Sequence, residues 1–438
     1  MRTHLFLFSA LALTLTAAAG CDSGTEPEAP ETECTDAATP GCVVRSDKQR
    51  IMSPDVPAED LEAAVAGNSA FAMSLYKQLQ SEPGNLFYSP HSISVALSMT
   101  WAGARAQTEQ DMAATLGFTL PQAQHHPAFN ALDLALASRG QNAEGANGQP
   151  FKLSVANALW AQTSYPFEAA FLDTLGLSYG AGVHVVDFEG QPADAIDLIN
   201  DWVDTETNGK ITKLVDSQSV NNDTRFVLTN AIYFNAAWAK KFDPDSTADG
   251  SFYLADGSKI TVPMMHGSRD AAYAEGDGFQ AVVLPYSGGE VSMVVVLPEE
   301  GKLADLESSL GAKTIDDIVE STDTYSVDLT MPKFEIDGDF SLREVLSGMG
   351  MEVAFTAGAD FTGISKEGGL VLQDVVHKSF ITLNESGTEA AAATAVSGGT
   401  TSAPPPAEMT IDRPFLFVIR DNPTGALLFV GRVADPSK

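Results

Sequence analysis

The chain reads as an α+β protein. Patterns of helical period gather in the first half of its 438 residues, and strand-like runs dominate the second. A third observation bears on function: the stretch 390–407 carries no charge, yet it lies between a long strand and a C-terminal hairpin.

The elements follow in order. Leu61, Val65, Ala72, Leu75 and Leu79 recur at helical spacing, so a first helix begins near Ala58. Ser89 is placed to cap a second, with Pro90 at a first position that needs no N–H, followed by Ile93, Leu97 and Trp101. Gly103 breaks that run, and Thr108 with Asp111 gives a capping-box-like start to a third helix through Met112 and Leu116. Helical character returns at 195–203, and strands are expected at 226–234, 291–297, 327–331 and 370–383. Runs at 415–419 and 426–430 flank the Asn422-Pro423-Thr424-Gly425 turn and predict a terminal hairpin.

Residues 1–20 are expected to be a secretory signal: Arg2 and His4 precede an apolar run too short to span a membrane. Ala17-Ala18-Ala19-Gly20-Cys21 is similar to a bacterial lipoprotein cleavage site, which would leave Cys21 lipidated, although Ala18 stands where Leu is usual. Ordinary cleavage near Ala19 is the alternative. Residues 21–57 read as an acidic, proline-rich tether. Cys34 and Cys42 either pair in an oxidising compartment or remain surface thiols, and everything after Cys42 is cysteine-free. The main domain, 58–438, must therefore be held by its core.

With 25 Lys plus Arg against 58 Asp plus Glu, the net charge is −33. That field repels phosphate backbones, so no nucleic-acid partner is expected, and no basic cluster offers a heparin-like activator its site. The sequence holds no G-x-S-x-G elbow, H-E-x-x-H motif or P-loop, and its cysteines lie outside the main domain. The expectation is a protein without catalytic residues, metal or cofactor.

Composition alone would make 390–407 a flexible linker. The roughly 30 residues after it, however, cannot form an independent unit.

Asn85-Leu86-Phe87-Tyr88-Ser89-Pro90-His91-Ser92-Ile93, then Gly103-Ala104 and Thr108, resembles two helices of the serpins. So do Asn200-Asp201-Trp202-Val203, Leu228-Thr229-Asn230-Ala231-Ile232-Tyr233-Phe234 with Trp238, Met331-Pro332-Lys333-Phe334, Val376-His377-Lys378 and Arg413-Pro414-Phe415. The likeness runs from about 58 to 436 as one unit. It implies three β-sheets, eight or nine helices and an exposed reactive-centre loop at about 386–407. It also implies an inhibitor that a serine protease attacks as substrate, the cut loop then joining the main sheet and trapping the acyl-enzyme; a monomer is expected, exported by the signal at residues 1–20. A membrane would be met only through the N-terminal lipid, leaving a cell-envelope lipoprotein or an extracellular protein. The alternative is a non-inhibitory relative acting as a binding or chaperone-like module.

Glu385, Gly387, Thr388, Glu389, Ala390, Ala391, Ala392, Ala393 and Thr394 match the family's inhibitory hinge. Alternation places Thr388, Ala390, Ala392 and Thr394 on one face, all small and uncharged, and no proline interrupts the ladder before Pro404. From Thr388 to Thr401 such a strand would span about 45 Å. The family's spacing puts the cut between Thr401 and Ser402 counted from Glu385, or near Ala403 counted back from Pro414. Small residues there suit an elastase-like or subtilisin-like enzyme. Ser89, Ser92, Asn230 and His377 match the polar cluster beneath the main sheet, and Trp238 matches the residue where the loop enters.

Overall fold

The computed structural model describes residues 33–34, 39–141, 143–146, 150–388 and 403–438. The signal, Cys21 and the loop residues 389–402 lie outside them.

The chain opens with a short strand β1 (Cys42–Val44) and the amphipathic helix α1 (Ala58–Leu79). Strand β2 (Leu86–Tyr88) leads into α2 (Pro90–Trp101), where Ser89 Oγ accepts from the Ser92 N–H and Pro90 takes the first position. Every residue of α2 is buried, so this helix forms the centre of the molecule. Helices α3 (Ala106–Leu116) and α4 (Gln122–Ala137) follow, then β3 (Lys152–Gln162), α5 (Ala169–Tyr179), β4 (Val183–Val186) and α6 (Pro192–Glu206). Strand β5 (Phe226–Ala237) is buried on both faces along its whole length, the pattern of a central strand.

The second half is mostly sheet: β6 (Ala248–Tyr253), β7 (Lys259–Gly276), β8 (Phe279–Pro285) and β9 (Val291–Pro298). Short helices α7 (Leu303–Ser309) and α8 (Thr314–Glu320) precede β10 (Asp323–Pro332), β11 (Phe334–Ser341) and α9 (Arg343–Leu346). Strand β12 (Val375–Asn384), the two-residue β13 (Gly387–Thr388) and β14 (Pro406–Thr410) bracket the loop. The hairpin β15 (Phe415–Asp421) and β16 (Leu427–Val433) closes the chain.

Seven strands form one sheet in the order β1-β4-β3-β5-β13-β12-β11, and nine belong to a second ladder. The three expected sheets correspond to the first ladder and the two ends of the second. The ends are continuous because β7, 18 residues long, pairs with β6 and β10 along its length and with β8 at its tail. Nine α-helices lie among the described residues. Helix α6 packs on the outer face of the seven-stranded sheet through Ala195, Ile199 and Val203, against Trp160, Val227 and Val376.

Three expectations need correction. The stretch 21–57 is not tether throughout: β1 adds antiparallel to β4, Lys48 pairs with Asp173 at 2.6 Å, and the Ile51 N–H reaches Leu177 O. Cys34 and Cys42 form a disulfide beside β1. Behind the acidic half of this stretch, Lys48 and Arg50 find carboxylates on α5 and α4. Thr108 does not cap α3, which begins at Ala106; its hydroxyl accepts from the Asp360 N–H, a tertiary partner. The strand expected at 370–383 begins only at Val375, because Leu372 and Gln373 spend their N–H groups on Ala354 O and Phe226 O.

Candidate loop-insertion site

Strands β5 and β12 are parallel partners from Leu228 opposite Val375 to Tyr233 opposite Phe380. Beyond that point they diverge, and β13 occupies the gap: Thr388 faces Ala236 on one side and Leu383 on the other. The start of the loop segment is thus already a strand of the sheet. Gly387 has φ +147°, and a Cβ there would lie 2.1 Å from Ala236 O, so only glycine fits. Thr388 is completely buried, and its hydroxyl is 2.9 Å from that of Tyr286.

The turn leading into β13 is held from several sides. Trp238 N–H donates to Ser386 O at 2.8 Å, its indole Nε1 to Asn384 O at 2.9 Å, and Phe242 N–H to Glu385 O at 2.8 Å. Glu385 Oε2 pairs with Lys333 Nζ at 2.9 Å, and Oε1 accepts from Thr247 Oγ1 at 2.7 Å. Burial would raise this carboxyl's pKa, but the hydrogen bonds from Lys333 and Thr247 outweigh it and hold the group below its ordinary value.

Below the wedge lies a polar cluster with no solvent access, in which Ser89, Ser92, Asn230 and His377 meet. The Ser89 N–H donates to His377 Nε2 at 3.2 Å, which makes Nε2 the unprotonated nitrogen. Nδ1 therefore carries the proton and donates to Asn230 Oδ1. Asn230 Nδ2 in turn donates to Ser92 Oγ and to Asn157 Oδ1, and Ser89 Oγ–H donates to Leu428 O. Burial lowers the His377 pKa to about 3, so the ring is neutral. The cluster ties α2, β3, β5 and β12 together at the line where β5 and β12 meet.

Four of the five residues expected beneath and beside the sheet are thus one network, and Trp238 lies apart at the mouth. Glu385, Gly387 and Thr388 are placed as described; Glu389, Ala390–Ala393 and Thr394 lie outside the described residues. So do Thr401 and Ser402, whereas Ala403 is described and exposed. Sequence reasoning missed Asn157, Lys333 and Tyr286 as site residues. Lys333 stood within a quoted motif, but its partner is 52 positions away. Asn157 sits opposite Asn230 in the β3–β5 ladder, a placement that follows from register alone.

The sheet is thus parted at one end by the head of its own loop. Residues 66–436 match the family described as Serpin (serine protease inhibitor). An uncharacterised serpin-like protein of Thermococcus kodakarensis is 40% identical over 84% of each chain. The leukocyte elastase inhibitor of Homo sapiens is 34% identical over 86% of this chain and all of its own. A crystal structure of human thyroxine-binding globulin with its ligand superposes at a TM-score of 0.77, with 31% identity over 86% of this chain and 100% of that one. The chain belongs to the serpin family, described as serine protease inhibitors. These archaeal and human relatives lend no support to a bacterial lipoprotein subtype. Among the described residues no helix is long and apolar enough to cross a membrane.

Proposed function

We propose that this chain inhibits serine endopeptidases as a suicide substrate. The observation that carries the reading is the two-residue wedge, which sets a register for the rest of the loop. Thr388 lies opposite Ala236 and Leu383; six residues on along both ladders, Thr394 would meet Asn230 and His377, which are themselves partners. A threonine hydroxyl donates and accepts, so it can replace the bond it parts. The intervening inward residues are alanines, which enter a packed sheet without overfilling it.

The protease serine would attack the carbonyl carbon of Thr401, with Ala403 as the alternative. The bond to Ser402 breaks, the new amine leaves with residues 402–438 after taking a proton from the protease's histidine, and an ester joins the enzyme to the loop. Strand addition then carries the enzyme along the sheet before water reaches that ester.

Thr400, Thr401, Ser402 and Ala403 suit a shallow pocket of elastase-like or subtilisin-like type, in keeping with the name of the human leukocyte elastase inhibitor. The same proposal keeps the chain a monomer without a heparin-like activator, exported by residues 1–20, with Cys21 as the point of lipid attachment in the cell envelope.

Incubation with elastase, subtilisin and trypsin, followed by denaturing electrophoresis and mass spectrometry of the C-terminal fragment, tests this. An SDS-resistant complex with the first two and a fragment starting at Ser402 are expected. A complex with trypsin alone would sink the proposed specificity. Clean cleavage by every enzyme without a complex would sink inhibition and favour the binding-module reading.

A further inference from the structure

We propose that Tyr286 is the positioning residue that holds the head of the loop inside the sheet, so that insertion extends an existing strand instead of starting one. The inference rests on the inhibitory reading for its consequence, but the holding itself can be measured without a protease.

Tyr286 is rooted in the second sheet. It follows β8, its N–H donates to Val291 O, and the neighbouring bonds Ser287 N–H to Ala237 O and Ala239 N–H to Pro285 O clip its turn to the end of β5. The ring lies flat against Trp238, with centroids 4.6 Å apart and planes 7° from parallel, and meets Phe234 edge-on at 5.1 Å. These contacts aim a fully buried phenol at one atom, Thr388 Oγ1, 2.9 Å away.

If Thr388 withdrew and the strands closed, the Tyr286 hydroxyl would remain buried without that partner. Such a loss shifts an equilibrium on the order of tenfold. The bond therefore favours the entered head. The advantage is kinetic, because a new strand must first order residues before any ladder bond rewards it. With the head in place, each added loop residue gains backbone partners on both β5 and β12. Without it, ester hydrolysis gains time against insertion, and more inhibitor is consumed per enzyme trapped.

The test uses the full chain with Tyr286→Phe, Thr388→Val, Thr388→Ser and the first two combined. Tyr286→Phe keeps the ring stack, Thr388→Val keeps the shape without the hydroxyl, and Thr388→Ser keeps the hydroxyl. Hydrogen exchange at the Gly387 and Thr388 amides is expected to quicken on the order of tenfold in the first two variants. It should not quicken further in the double variant, and should stay near the parent rate in Thr388→Ser. Exchange in β9 should be unchanged, which a general loosening of the second sheet would not allow. Stoichiometry of inhibition should rise in the same variants. Unchanged exchange in Tyr286→Phe, additive effects in the double variant, or failure of Thr388→Ser to restore the parent rate would each overturn the inference. If the parent traps no protease at all, the inhibitory reading falls, and the exchange data still decide whether Tyr286 holds the head.

Discussion

At the scale of single residues, the turn before β13 depends on one carboxylate. Glu385 joins Lys333 on the stretch between β10 and β11 to Thr247, and Lys333 is about a third exposed. Solvent screening discounts the ion pair, while the hydrogen bonds to a charged group retain their value. Glu385→Ala should therefore lower stability by about 1–2 kcal/mol, read as a lower denaturant midpoint at constant slope. Because the folded pKa is depressed, this contribution is full above the unfolded value of 4.5 and fades as pH falls through the folded one. An unchanged midpoint at pH 7 would show that Glu385 does not hold the turn. The polar cluster was partly legible in the sequence, since Ser89, Ser92, Asn230 and His377 stand within motifs that carry the family likeness. Asn157 and Tyr286 were not legible. Neither lies in a quoted motif, and what makes each matter is a neighbour brought in by cross-strand register or by a stack between sheets.

At the scale of elements, what decides behaviour is the competition for the space between β5 and β12. In the described structure these strands pair directly at six positions, and β13 keeps them apart only at the top. A cleaved loop that inserts replaces one short ladder with two longer ones. At about 0.5–1.5 kcal/mol net per added hydrogen bond, a strand of a dozen small residues should raise the unfolding midpoint on the order of 10 °C or more. Calorimetry before and after limited cleavage measures this, and an unchanged midpoint would mean that no strand is gained. Thr394→Arg probes the same space from within. A guanidinium set between Asn230 and His377, on the face toward α2, would enter a cluster whose described partners are all neutral, so cleavage should continue while trapping fails. Gel analysis separates the two, and a normal SDS-resistant yield would show that the register does not extend as proposed. The major elements were readable wherever period and cap agreed, as in α2 and the terminal hairpin. Readings failed at Thr108 and at 370–374, where the partners that settle the backbone are Asp360, Ala354 and Phe226, all remote in the chain.

For the whole molecule, the net charge of −33 suggests a protein that relaxes as acid removes its self-repulsion. The buried histidines argue the other way. His91, His125, His126 and His377 are all buried, and desolvation lowers the pKa of each, to about 4 for His126 and about 3 for His377. His91 has only the more distant charges of Asp133 and Asp421 to favour a proton; His125 bonds Ser98 and His126 bonds Tyr179, both neutral groups. The unfolded chain binds these protons near 6.5 and the folded one does not, so stability must fall as pH drops below that value. His126 and His377 each remove about 2 kcal/mol between pH 7 and pH 5, and His91 and His125 act in the same direction. That is a large share of the whole stability of an ordinary domain. Asp374 and Asp337 act in the opposite sense, because burial raises both carboxyls and the folded state takes up their protons first. They are two groups against four, and they begin to titrate only as the pH nears the carboxylate range. The unfolding midpoint should therefore decline steadily from pH 7 to pH 5, before most carboxylates titrate. His126→Gln, beside Tyr179 on α5, should make the decline shallower by about 2 kcal/mol over this range. A midpoint that holds or rises over this range would mean that relief of charge repulsion outweighs the buried imidazoles.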